Sequence, residues 1–260
     1  MSTSSRRAPL IESTVNEKPI VIYHRGNRER GTENTVAAFR AIDDTIGPCA
    51  VEFDVHLTRD NVPVVIHDFG LYRVFHEDLT VRDHTFAELF LARLGDGTGL
   101  PALSHILSIV KPLKLAFINI EIKGDLGLYQ EIIERTFDDI DSSGISRERF
   151  VISSFDFDLL REVHGYERMM RIGVLIAASE DAKPAVELAE EIGAWSINPS
   201  IRMMNDRTMK ILTGHRVIPY TINSPGDLKK AMKYDIYGLF TDRPSRIASQ
   251  LVKNGIRRKT

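Results

Sequence analysis

Pro19-Ile20-Val21-Ile22-Tyr23-His24, followed by Arg25-Gly26, is the stretch that decides between two architectures. A short run rich in β-branched residues that ends in a turn reads as a buried strand. If it opened a doubly wound sheet, a Gly-rich phosphate turn would normally follow, and His24-Arg25-Gly26 is no such turn. The run Gly95-Asp96-Gly97-Thr98-Gly99 has neither a preceding strand nor the right spacing, so it reads as a loop.

Working outward, similar apolar runs recur at 50–55, 62–67, 115–123, 151–154, 172–176, 195–198, 217–222 and 237–241. Most are separated by stretches with apolar residues at helical spacing, at 35–42, 128–137, 159–164, 183–192, 207–213, 225–232 and 245–252. Strand and helix in alternation mean parallel strands joined by right-handed crossovers. About eight such units in about 250 residues predict a single (β/α)₈ TIM barrel of the α/β class, with 62–67 left over as an extension after strand two. From Asp68 to Leu100 no strand is evident, and Pro101 then restarts a helix. A long insertion of this kind usually shapes a binding site, so it is expected at the substrate entrance.

Composition narrows the function. The chain has 260 residues, and 34 Lys plus Arg against 36 Asp plus Glu give a net charge of −2. That leaves no bulk cationic field for nucleic acid or an anionic membrane, so no nucleic-acid partner is expected. Hydrophobic residues at 43% and charged residues at 27% suit a globular core. The single cysteine, Cys49, excludes an internal disulfide framework and a thiolate zinc site. No apolar run approaches the roughly 18 residues of a membrane span. Residues 1–17 are expected to form a flexible polar tail, residues 18–260 the barrel domain, and the location to be cytoplasmic. The sequence carries no indication of oligomeric state.

In such a barrel the active site lies at the C-terminal strand ends. There the sequence places His24-Arg25, Glu52-Phe53-Asp54, His67-Asp68 and Glu121-Ile122-Lys123. Side chains alternate along a strand, so Glu52 and Asp54 share a face, as do Glu121 and Lys123. Buried carboxylates need partners. Glu52, Asp54 and Glu121 suit a divalent cation with all-oxygen ligands, Mg²⁺ or Ca²⁺, while an ion-pair cluster with Arg25 and Lys123 is the structural alternative. His24 and His67 on one rim can divide the roles of general base and general acid. Arg25 and Lys123 add donors for a phosphate. Together these groups describe phosphodiester cleavage. His56 is expected near the rim, the remaining histidines elsewhere, and Asp156 and Asp158 at a helix start. Trp195 fits either core packing or a site wall.

These residues, in this order, resemble the glycerophosphodiester phosphodiesterase family. The resemblance rests on His24-Arg25-Gly26, Thr32-Glu33-Asn34-Thr35, Glu52-Phe53-Asp54-Val55, Thr58-Arg59-Asp60 and Val64-Val65-Ile66-His67-Asp68. It continues through Asn119-Ile120-Glu121-Ile122-Lys123, Tyr220-Thr221-Ile222-Asn223 and Phe240-Thr241-Asp242-Arg243-Pro244, and so spans about residues 20–250. It implies that Glu52, Asp54 and Glu121 hold the metal, with His24 as proton acceptor and His67 as donor to the leaving alcohol. Arg25 and Lys123 would hold the phosphate, Glu33 and Asn34 would support the His-Arg-Gly turn at the substrate site, and Tyr220 would wall the glycerol pocket. The implied substrates are small glycerophosphodiesters, cleaved to glycerol 3-phosphate and an alcohol. Thr32 stands where the family has Pro, Tyr220 where Trp is common, and Leu71-Tyr72-Arg73-Val74-Phe75 where Leu-x-Arg-Thr-Thr is frequent. Two rival functions share the pocket. One is a lysophospholipase D, for which Phe69, Leu71, Tyr72, Val74, Phe75, Phe86, Leu89 and Phe90 would supply an acyl landing surface. The other is a non-catalytic phosphodiester-binding module, and a barrel aldolase using Lys123 is disfavoured because a lysine among carboxylates stays protonated.

Overall fold

The computed structural model describes residues 19–124 and 128–255, so the expected polar tail at 1–17 lies outside the described residues. The strands are β1 (Ile20–His24), β2 (Cys49–Leu57), β3 (Pro63–Val65), β4 (Ile118–Ile122), β5 (Phe150–Ser154), β6 (Arg171–Ile176), β7 (Ser196–Pro199) and β8 (Gly238–Thr241). The helices are α1 (Val36–Arg40), α2 (Tyr72–Phe75), α3 (Phe86–Leu89), α4 (Leu103–Val110), α5 (Tyr129–Ser143), α6 (Phe157–Tyr166), α7 (Lys183–Ile192), α8 (Asp206–Ile211), α9 (Pro225–Ala231) and α10 (Pro244–Lys253).

The parallel strands run in the order β7-β6-β5-β4-β2-β1-β8. Residues 217–222 fill the gap between β7 and β8. On one side Ile218 N donates to Ile197 O at 3.1 Å and Tyr220 N to Pro199 O at 3.0 Å. On the other, Tyr237 N donates to Val217 O at 2.8 Å, Phe240 N to Pro219 O at 3.0 Å and Ile222 N to Phe240 O at 2.8 Å. The sheet is therefore closed, and the α/β barrel foreseen from the strand count is the fold. This last stretch forms isolated bridges instead of a regular strand because Pro219 has no N–H to give its neighbour.

The helices follow from their spacing. In α5 the buried positions are Ile132, Ile133, Thr136, Phe137 and Ile140, one stripe facing the sheet, and Gly144 at φ +64° ends the helix. Asp156 caps α6 by accepting from Asp158 N and Leu159 N, the role foreseen for it. The helix expected from Pro101 starts at Leu103; Pro101 instead accepts a hydrogen bond from Val65 N at 2.9 Å and ties the chain to β3.

Three apolar bodies result among the described residues. The largest lies between strands and helices. A second fills the lower barrel interior, with Ile22, Phe117 and Phe240 among its members. Trp195 packs edge-on against Phe117 and Tyr237 at that end, with Arg216 over its ring, so it belongs to the base of the barrel and not to the rim. The third body is the insertion's own, built on Val64, Ile66, Leu71, Phe75, Val81 and Leu89. Leu71, Phe75 and Leu89 are thus committed to packing, and Val74 and Phe86 pack against the same body, while Phe69, Tyr72 and Phe90 remain exposed.

Candidate active site

Strand register assembles the rim. His24 pairs with Glu52 across β1 and β2, and Asp54 pairs with Glu121 across β2 and β4. Adjacent positions on neighbouring strands share a face, so these four side chains enter the barrel mouth together. The fifth arrives differently. β2 overshoots the rim and β3 folds back antiparallel on it, pairing Val65 with Val55. Ile66 N then donates to Asp54 O at 3.1 Å, which returns His67 to the level of the carboxylates.

Glu52, Asp54 and Glu121 each offer an oxygen within 4.8 Å of the others. All three are buried. Burial, with repulsion from Asp54 and Glu121, pushes Glu52 well above the usual carboxylate range. Burial, together with Asp54, raises Glu121 to about 7 in spite of the adjacent Lys123. Asp54 moves the other way: Lys123, at 2.8 Å from Oδ1, and Arg25, at 3.2 Å from Oδ2, outweigh its burial. Lys123 also contacts Glu121. Even so, Glu52 Oε1 is buried without a hydrogen-bond partner. An orphaned carboxylate oxygen beside two more carboxylates fits a hard cation, so these three residues could hold Mg²⁺ or Ca²⁺.

Each histidine is backed by a carboxylate. His24 Nδ1 lies 2.7 Å from Asp242 Oδ1, and His67 Nδ1 lies 2.6 Å from Asp68 Oδ1. Both contacts place a hydrogen on Nδ1 and leave Nε2 for chemistry. Burial holds His24 below the ordinary imidazole range although Asp242 opposes it. Burial also lowers His67, helped by the nearby Lys123 and Arg25 charges.

Arg25 occupies the His-Arg-Gly turn at φ +60°, an uncommon conformation for a residue with a side chain. Its N–H reaches both Glu52 O, at 2.9 Å, and Glu52 Oε2, at 3.0 Å. Gly26 follows at φ +82°, and a Cβ there would stand 2.9 Å from that of Ala38. Glu33 and Asn34 lie behind this turn: Arg25 Nη1 donates to Glu33 Oε1 at 2.9 Å, and Asn34 Nδ2 to Asp54 Oδ2 at 2.8 Å.

The mouth encloses a cavity of about 150 Å³ lined by His24, Arg25, Glu52, His67, Glu121 and Tyr220, with Asn119, Phe155, Leu175 and Phe240 among its other walls. Tyr220 donates its hydroxyl to Ile176 O at 2.7 Å, and Phe155 stands edge-on to its ring. Lys123, Glu33 and Asn34 do not line this cavity, and neither does Asp54; Lys123 and Glu33 hold Glu121 and Arg25, which do, and Asn34 holds Asp54 behind them. His56 is buried, with Nε2 3.1 Å from His67 O, so it braces the His67 backbone.

Sequence reasoning assigned no role to Asp242, Asp68 or Arg28. Asp242 accepts from Asn223 Nδ2 at 2.6 Å and from Arg28 Nη1 at 2.6 Å as well as facing His24. Its position directly after the last strand was a usable signal, since that is the same rim.

Comparison with known proteins places this geometry. Residues 24–246 match the model of the glycerophosphoryl diester phosphodiesterase family. A glycerophosphodiester phosphodiesterase of Caldanaerobacter subterraneus subsp. tengcongensis is 29% identical over 249 residues, covering 92% of this chain and all (100%) of that protein. A Bacillus altitudinis enzyme of the same name is 29% identical over 238 residues, covering 87% and 95%. Among solved structures, a Thermotoga maritima glycerophosphodiester phosphodiesterase superposes with a TM-score of 0.70 at 28% identity, covering 89% and 98% of the two chains. An Oleispira antarctica phosphodiesterase, solved with sn-glycerol-3-phosphate, superposes at 0.81 with 24% identity over 90% and 97%, which establishes likeness of fold. Among the described residues no helix is long and apolar enough to cross a membrane. With family model, barrel and rim in agreement over nearly the whole chain, this protein belongs to the glycerophosphoryl diester phosphodiesterase family, a family of phosphoric diester hydrolases.

Proposed function

We propose that the protein hydrolyses small glycerophosphodiesters to glycerol 3-phosphate and a free alcohol. The observation that carries this reading is the meeting of a three-carboxylate cluster, two of whose members line the cavity, with two imidazoles on the same wall, each backed by an aspartate. Glu52, Asp54 and Glu121 would hold a divalent cation, Mg²⁺ or Ca²⁺, which would supply charge neutralisation at the phosphate. The charge count supports this. With all three ionised, they exceed Arg25 and Lys123 by one negative charge. A divalent cation reverses that to one positive, matching a phosphodiester monoanion.

His24, neutral and with its Nδ1–H held by Asp242, accepts at Nε2 the proton of the attacking group, either a water or the substrate's neighbouring hydroxyl; in the second case a water then opens the cyclic phosphate to glycerol 3-phosphate. His67 donates to the leaving alcohol, and Asp68 stabilises its protonated form. The incoming phosphate charge favours that protonation. Arg25 orients the phosphate, Lys123 and Asn34 hold Asp54, Glu33 holds Arg25, and Tyr220 with Phe155 walls the glycerol portion. The cavity, about 150 Å³, suits a glycerol phosphate and leaves the departing alcohol at the mouth. The Oleispira antarctica structure, with sn-glycerol-3-phosphate bound, supports the choice of product. The lack of a nucleic-acid partner belongs to the same reading and rests on a balanced charge.

The lysophospholipase D alternative loses support, because most of the insertion's apolar residues are used for its own packing. The binding-module alternative leaves the two aspartate-backed imidazoles unexplained. The test is release of glycerol 3-phosphate from glycerophosphocholine or glycerophosphoethanolamine, with and without chelator. Loss of turnover on chelation and in His24→Ala is expected. Full activity in excess chelator overturns the metal assignment, and unaltered turnover in His24→Ala overturns the base.

A further inference from the structure

Arg73 lies on α2, in the insertion, outside the cavity wall. Its guanidinium nevertheless spans two carboxylates that serve different parts of the site: Nε donates to Asp68 Oδ2 at 2.5 Å and Nη2 to Glu33 Oε1 at 2.6 Å. Asp68 turns its other oxygen to His67. Glu33 also takes Arg25 Nη1 on Oε1 and Arg28 Nη2 on Oε2, each at 2.9 Å. Arg28 Nη1 continues to Asp242 Oδ1, the oxygen that faces His24. An unbroken alternation of acid and base thus runs from one imidazole to the other, and Arg73 is its link through the insertion.

The local packing explains why Arg73 points there. Leu71 and Phe75, on either side of it, are buried in the insertion's own apolar body. They fix the short helix, and the intervening half-exposed guanidinium turns to the two rim carboxylates. Phe75 and Val74 stand where the family frequently has Thr-Thr, so the residues that depart from the common pattern are those that seat this helix.

We propose that Arg73 is a positioning residue for His67, holding Asp68 so that the imidazole is aimed at the leaving alcohol. A half-exposed ion pair usually contributes little to stability. The fork of a guanidinium, however, restricts a carboxylate to one orientation, and Asp68 in turn restricts the ring it faces. The insertion therefore controls the leaving-group step through a contact and not only by shape. This inference rests on the assignment of His67 as the leaving-group acid.

The experiment compares two esters of glycerol phosphate, one with choline as leaving group and one with p-nitrophenol. Choline needs a proton to leave, whereas p-nitrophenolate is a stable anion. Arg73→Met is expected to lower kcat on the choline ester about 10- to 100-fold, a portion of what general acid catalysis supplies. On the p-nitrophenyl ester kcat stays within about threefold, and KM stays within about twofold for both, since Arg25 keeps Glu33 and Asp54 as partners when Arg73 is removed. Arg73→Lys restores a charge without the fork and is expected to fall between Arg73→Met and the native enzyme on the choline ester; it also serves if Arg73→Met does not fold. Equal loss on both esters, a loss confined to KM, or native turnover of the choline ester overturns the proposal. His67→Ala separates the two levels of inference. If it shows the ester split and the Arg73 variants do not, Arg73 alone is wrongly assigned; if it loses both esters equally, the role of His67 itself fails.

Discussion

Asp242 Oδ1 lies 2.7 Å from His24 Nδ1, although 218 residues separate them in sequence. The parallel pairing of β1 with β8 sets this contact, because Tyr23 stands opposite Thr241 and the next residues of the two strands emerge together. Asp242→Asn removes the charge that opposes the lowering of His24 by burial. A drop in kcat of about 100-fold is expected, within the range for loss of a well-oriented base. The His24 pKa falls further, so the group that must be deprotonated becomes so at lower pH. The acidic limb of kcat/KM therefore moves to lower pH, and a limb that stays or moves upward refutes the assignment of His24 as base.

The carboxylate cluster gives a stability test with a definite sign. Glu121 titrates at about 7 in the folded protein, against about 4.3 for an unperturbed glutamate in an unfolded chain. The folded state then binds the extra proton between those values. Its contribution is fully present below the unfolded pKa and is lost as pH rises to about 7. Millimolar Mg²⁺ or Ca²⁺ is expected to raise the melting temperature more at pH 8 than at pH 5.5, because at the lower pH the cation must displace the proton of Glu121. His24 and His67, lowered by burial, act on the cation-free melts in the opposite sense. Thermal melts with and without chelator at both pH values decide it; an equal cation effect at the two refutes it.

Gly26 is required on two counts, its φ of +82° and a Cβ that would stand 2.9 Å from that of Ala38. Gly26→Ala should destabilise the protein by roughly 2 kcal/mol and, by shifting Arg25, also lower turnover. Denaturant unfolding measured alongside kcat checks both parts. Native stability would mean that the turn relaxes without strain.

Phe69 is exposed, with its ring centroid 4.9 Å from that of His56, and Tyr72, Phe90 and Leu91 are the other large apolar side chains exposed in the insertion. They are too few to shelter an acyl chain. The native protein is expected to hydrolyse glycerophosphocholine with kcat/KM at least about tenfold above that for lysophosphatidylcholine, and Tyr72→Ser should leave the first value within about twofold, since exposed substitutions rarely propagate. A lysolipid preference that Tyr72→Ser abolishes would restore the lysophospholipase reading.

Much of the fold was legible because a barrel repeats one signal. Runs such as Ile20-Val21-Ile22 and Phe150-Val151-Ile152 are buried on both faces and read as continuous apolar strands. Glu52, Asp54 and Glu121 stood out because charge inside such runs is expensive. The direction of β3 was not legible, since an edge run as short as Pro63–Val65 looks the same parallel or antiparallel. Nor could the sequence separate Phe75, which is buried, from Tyr72, which is exposed, in a helix of four residues. The contacts of Arg28 and Arg73 depend on folding distant segments together, and local spacing holds no trace of them.

The turning back of β3 onto β2 divides the ownership of the two imidazoles. His24 is borne by the barrel wall, whose register must be kept if the sheet is to close at all. His67 is borne by a hairpin and an insertion with their own apolar interior. On the proposed assignment, the half of the site that would meet the glycerol phosphate is thus bound to the architecture, while the half that would meet the leaving alcohol hangs from a separate scaffold. New leaving groups can be accommodated by rebuilding that scaffold, with the barrel left as it is.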